Sequence, residues 1–140
     1  MGTRITMAQF AAKHRISMRV EWEASRPDKL MGDSARHFRC TLRCLETSKR
    51  IVVHFSQGSA HVNEPTVEDV LNCMASDSSG WENSRGDFNE WAREYGYSLD
   101  DRDATRKARK VFDAVERQTL ALGRLIGTAY EELLYKTEGL

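Results

Sequence analysis

Residues 18 to 56 alternate apolar with polar side chains, whereas beyond Pro65 the apolar residues recur at threes and fours. Alternation marks a strand with one buried and one wet face, and the longer period marks an amphipathic helix. Met18, Val20 and Trp22 oppose Arg19, Glu21 and Glu23. Phe38, Cys40, Leu42 and Cys44 oppose Arg39, Thr41 and Arg43, and Ile51, Val53 and Phe55 oppose Val52, His54 and Ser56. A half-wet sheet favours antiparallel pairing, so the prediction is an α+β fold with a three-stranded antiparallel sheet over about 18–23, 37–45 and 50–56. The polar link from Glu46 to Lys49 is of hairpin length, and the longer one from Arg26, Pro27 and Asp28 to Gly32 and Asp33 suits a looser connection. Such a sheet is not stable alone and must be covered.

Helices supply the cover. A capping residue followed three positions later by an acid or amide occurs at Thr6/Gln9, Thr66/Asp69, Asp87/Glu90 and Thr128/Glu131. The first marks a short helix carrying Met7, Phe10 and Ala11 ahead of the sheet. After Pro65, Val67, Val70, Leu71 and Met74 form a stripe, which Trp81 joins only if the helix survives Ser78, Ser79 and Gly80. The longest helix is expected from Asp101 to Ile126, with Ala104, Ala108, Val111, Phe112, Val115, Thr119, Leu122 and Ile126 inward and Gly127 as its stop. A last helix carries Tyr130, Leu133 and Leu134.

At 140 residues the chain is expected to form a single domain, residues 1–60 giving the short helix and sheet and residues 61–140 the helical part. Its 21 basic and 21 acidic residues balance, so global charge favours neither nucleic acid nor an acidic mimic of it. No apolar run is long enough to span a membrane, and no apolar segment near the N-terminus suggests a signal peptide. The expected location is the cytoplasm.

Cys40 and Cys44 share one face of a strand about 13 Å apart, too far for a disulfide. Together with Cys73 they are expected as small core residues. A zinc site combining Cys40 or Cys44 with His37, His54 or His61 is disfavoured, because the alternation sends the cysteines inward and His54 outward. Ser56, Gln57, Gly58 and Ser59 lack the lysine and glycine spacing of a phosphate loop and suggest a turn leaving the third strand. Nothing in the sequence assembles a nucleophile with a base. The expectation is a protein that is not an enzyme and carries neither metal nor cofactor.

Two features could carry function. Arg102, Arg106, Arg109 and Lys110, with Lys107 beside them and Arg117 beyond, form a basic stripe opposite the apolar face of the long helix. It could engage phosphates or an acidic protein surface, or be a solvated face. Arg19, Arg39, Arg43, His37 and His54 form a second positive patch on the sheet, partly neutralised by Glu21 and Glu23. The other feature is aromatic: five of twelve aromatics, Trp81, Phe88, Trp91, Tyr95 and Tyr97, fall within seventeen residues. Phe88, Trp91 and Tyr95 share one helix side and are expected in the core. Trp81 and Tyr97, beside glycines, are the candidate partner-binding anchors.

Residues 5–17, from Ile5 to Ser17, resemble the first half of a helix-turn-helix, but Arg15 replaces the usual turn glycine and a strand pattern follows. A broader resemblance spans most of residues 50–110: Ser56-Gln57-Gly58, Glu64-Pro65-Thr66, Asp69-Val70-Leu71, Ala75-Ser76-Asp77, Glu82-Asn83, Phe88 with Trp91, and Glu94-Tyr95-Gly96-Tyr97 ahead of Asp101-Arg102. This succession is similar to that of small proteins encoded by phages and integrated mobile elements. The resemblance implies a setting in which compact proteins without active sites inhibit host defence, anti-CRISPR proteins among them. A stoichiometric, protein-binding blocker of a CRISPR effector is therefore the first expectation, with Trp81, Tyr97, Arg102, Arg106, Arg109 and Lys110 at the contact. The alternative is a small nucleic-acid-binding or regulatory protein using the basic stripe. A homo-oligomer through a second apolar strip on the long helix remains open.

Overall fold

The computed structural model describes residues 5–27, 34–58 and 63–138. The order is α1 (Met7–Lys13), β1 (Ile16–Pro27), β2 (Ser34–Cys44), β3 (Lys49–Gly58), α2 (Val67–Asn83), α3 (Phe88–Glu94), α4 (Arg102–Ile126) and α5 (Ala129–Glu138). The strands form an antiparallel meander in the order β1-β2-β3. The fold is α+β, with one short helix before the sheet and four after it.

The register follows from the alternation. Met18 pairs with Leu42 and Leu42 with Ile51, while Val20 pairs with Cys40 and Cys40 with Val53, so these apolar positions share one face. Against that face α1, α2, α4 and α5 pack Phe10, Leu71, Met74, Leu122, Leu125 and Leu133, all nearly or wholly inaccessible to water. Each large aliphatic side chain buried this way contributes on the order of 2 kcal/mol. Cys40 and Cys44 belong to this core, and burial, with the carboxylates of Glu23 and Glu64 adding to it, pushes the Cys40 thiol up to about 11.

The strands run further than their alternation. Arg26 and Pro27, expected in the link, pair with Ala35 and Ser34 after a bulge at Glu23 has shifted the phase. The bulge inserts one residue and thereby breaks the period that sequence reading relies on. At the other end of the sheet Gly58 pairs with Ala35, so Ser56, Gln57 and Gly58 belong to β3 and not to an exit turn. Leu45, expected to end the second strand, lies in the turn to β3, where Ser48 takes a left-handed φ of 59°.

The helix starts follow the capping chemistry. Thr6 and Thr66 form reciprocal capping boxes with Gln9 and Asp69, while Asp87 caps α3 by accepting from the Glu90 backbone N–H at 2.9 Å. Arg15, at φ 54°, turns the chain from α1 directly into β1, so no second helix follows the segment resembling a helix-turn-helix. α2 does survive Ser78, Ser79 and Gly80. The Ser78 hydroxyl is satisfied inside the core by Thr119 Oγ1 at 3.0 Å, and Gly80 leaves room for the Tyr95 ring. Gly127 ends α4 at φ 55°.

Four residues expected on buried faces lie elsewhere, among them Trp22 of β1, which is 53% exposed. Cys73 is exposed, because it precedes Met74 and is turned about 100° away from the stripe. Val111 and Tyr95 are also exposed. Val111 and Leu120, the large exposed apolar residues of α4, are nine positions apart and so lie about 180° around the axis from each other. They make no continuous strip.

Candidate binding surfaces

A smaller hydrophobic cluster sits beside the main core. Trp91, Ala92, Ala108 and Phe112 are its buried members, and Trp81, Phe88, Tyr97 and Leu99 pack around them. Trp91 is the centre: Phe112 meets it edge-on at 5.4 Å and Tyr97 lies almost parallel to it at 5.7 Å. Tyr97 is therefore half-buried in this stack. Trp81 is half-buried too, its ring within 3.1 Å of where a β-carbon on Gly86 would stand, and its buried indole N–H has no acceptor among the described residues. The exposed aromatic of this region is Tyr95, which sequence reading assigned to the core, although its hydroxyl rests against Gly80.

The basic stripe of α4 borders a groove with a cavity volume of about 810 Å³. Phe88 and Leu99 supply apolar surface, and Arg102, Arg106, Arg109 and Lys110 line it together with Asp100 and Asp113. Four sequence-predicted cations thus meet at one place, whereas Trp81 and Tyr97 are not among the lining residues. Leu99 is held by Thr105, whose hydroxyl donates to the Leu99 carbonyl at 3.2 Å and to the Asp101 carbonyl at 2.8 Å. Asp101 caps the helix by accepting from the Asp103 N–H.

The four cations differ in their surroundings. Arg109 folds its guanidinium over Phe88 at 4.9 Å and Phe112 at 5.7 Å and meets Asp113 at 3.4 Å. Arg106 meets Asp103 at 2.7 Å. Arg102 and Lys110 make no ion pair among the described residues and carry the free charge. Sequence periodicity put these side chains on one helix face; it could not show that Phe88 and Leu99 close the groove from another part of the chain.

No described helix covers the outer face of the sheet. Arg19, Arg39, Arg43 and Arg50 project from it, with Glu21 and Glu23. His54 faces Glu23 at 2.8 Å, and His37 contacts Ser56 Oγ at 2.9 Å. The two histidines and the two strand cysteines are thus on opposite faces, and His61 lies outside the described residues. No group of three or more metal-ligating side chains occurs among the described residues.

At the opposite end of the molecule His14 joins three elements. Its ring nitrogens approach Glu46 at 2.7 Å and Glu132 at 3.2 Å, and Lys13 adds a contact to Glu132 at 3.1 Å. Partial burial opposes the charge on Glu132, but the hydrogen bonds from Lys13 and His14 and their charge outweigh it and hold the carboxyl below its ordinary value. No described helix is long and apolar enough to cross a membrane. Comparison of the chain with protein-family models, curated proteins and solved structures returns no match to any of them.

Proposed function

We propose that the protein acts by binding, not catalysis, as a stoichiometric inhibitor of a host-defence machine such as a CRISPR effector, with the α4 groove as its contact surface. The observation that carries this reading is the groove itself, where apolar surface from Phe88 and Leu99 lies within a rim of four cationic and two anionic side chains. Such a rim suits a protein segment that offers an apolar side chain flanked by carboxylates. The likeness of residues 50–110 to phage and mobile-element proteins supplies the host-defence half of the reading. Its place of action would be the bacterial cytoplasm.

The alternative, a grip on nucleic-acid phosphates by the same stripe, is weaker at this site. Arg106 and Arg109 are each engaged by an acid of their own helix, which leaves Arg102 and Lys110 unpaired there. The test is phage plaquing on matched bacteria carrying defined CRISPR systems, with and without the gene. Plaquing should be restored under one system, and replacing Arg102 and Lys110 by glutamate should abolish that rescue while leaving the protein folded. Absence of rescue under every system, with no defence subunit co-purifying, would overturn the reading.

A further inference from the structure

The uncovered sheet face carries an arrangement that folding alone does not favour. Arg43 on β2 and Arg50 on β3 are direct cross-strand partners, both exposed. Side chains so placed have β-carbons about 5 Å apart, and like charges there repel and destabilise the pair. Neither arginine, nor Arg39 further along β2, has an ion-pair partner among the described residues. The described carboxylates of this face lie at other rows: Glu21 on β1, opposite Arg39, is on Arg19 at 3.6 Å, and Glu23 is on His54 at 2.8 Å, so neither stands beside Arg43 and Arg50.

From this we infer that the outer face of the sheet is a binding site for the sugar-phosphate backbone of a nucleic-acid strand. The inference does not depend on the α4 groove. Successive outward rows of the sheet repeat at about 6.6 Å, and Arg43 with Arg50, then Arg19, then Arg39 occupy three consecutive rows. That ladder tracks the spacing of successive phosphates along an extended strand. A phosphate between Arg43 and Arg50 would remove their repulsion, and the planar guanidinium fork matches its oxygens. Every cation in the ladder is arginine, the residue type suited to phosphate.

The same face argues against an acidic protein as occupant. Its large exposed apolar side chain is Val52, and the middle row otherwise holds Arg19 and Thr41, so there is no aromatic or aliphatic anchor of the kind protein interfaces centre on. No Trp, Tyr or Phe projects from this face among the described residues, and its His54 and His37 rings are engaged by Glu23 and Ser56, so recognition should be indifferent to sequence.

The experiment is fluorescence anisotropy of a labelled single-stranded oligodeoxynucleotide of mixed sequence, titrated with the full chain between about 50 and about 200 mM salt. About three phosphate contacts predict a slope near −2 in log affinity against log salt. Replacing Arg43 and Arg50 together by glutamine should weaken binding about tenfold or more at the lower salt. Because the substitution removes a repulsion between exposed groups, its melting temperature should equal or exceed that of the parent, which separates lost binding from lost folding. No binding at the lower salt, binding unchanged by the double substitution, or equal affinity for a glutamate polymer would each overturn the inference.

Discussion

Tyr97 lies on Trp91 with ring planes 19° apart and centroids 5.7 Å apart, so the loop after α3 is anchored by a ring and not only by its backbone. Trp91 also touches Phe112 and Tyr95, which makes it the common member of the small cluster. Trp91→Ala should cost about 3–5 kcal/mol in urea unfolding. Tyr97→Ala should cost less, because Tyr97 remains half-exposed. Equal losses from the two substitutions would contradict the central role of Trp91.

Two glycines of this region should answer alanine differently. Gly86 has φ 72°, and a β-carbon there would meet the Trp81 ring at 3.1 Å, so Gly86→Ala should destabilise by about 1–2 kcal/mol. Gly80 is helical, and alanine would gain about 1 kcal/mol of helix propensity while displacing the Tyr95 hydroxyl. Since Tyr95 is exposed and can swing aside, Gly80→Ala should be the milder change in stability. It should nevertheless alter tryptophan fluorescence by moving Tyr95 off Trp91.

Acid should loosen the junction of α1, the β2–β3 turn and α5. The folded state holds Glu132 below its ordinary carboxyl value of 4.5, so its contribution is present above that value and is lost as pH falls through the lower native one. Urea midpoints between about pH 6 and about pH 3 should fall less steeply in Glu132→Gln than in the parent. Identical slopes would remove Glu132 from the account.

Thiol reagents should separate the cysteines. Cys73 is exposed and should react in the native protein, slowed because partial burial and the Asp77 carboxylate raise its thiol pKa, while Cys40 and Cys44 are fully buried and should react only on unfolding. Fast labelling of more than one thiol under native conditions would contradict the inward face assigned to β2.

Much of this architecture was legible because a local pattern coincided with a long-range need. Leu42 pairs with both Met18 and Ile51 because all three belong to one alternating face, which periodicity reports directly. The failures have the opposite character. Passage of α2 through Ser78 and Gly80, which periodicity left open, depends on Thr119 and Tyr95, residues remote in sequence that share a hydrogen bond with the Ser78 hydroxyl and occupy the space beside Gly80. The extent of β1 depends on a bulge that hides its own period. Of the candidate contacts, the cations of α4 were visible as a stripe, and Phe112 and Asp113 are one turn from Arg109 on the same helix, but its stacking on Phe88 arises only when α3 docks on α4.

The division of the interior into two clusters has a consequence for how the molecule opens. The main core joins the sheet to four helices, whereas the small one has four buried side chains and is held by α3, the start of α4 and Trp81. A cluster of that size should open on its own far more often than the sheet, so amide hydrogens of α3 should exchange with solvent before those of β2. The α4 groove is built on the members of this cooperative unit, Phe88 and Leu99 among them. An occupant would therefore slow exchange in α3 and leave the sheet amides unchanged, making its arrival readable from protection alone.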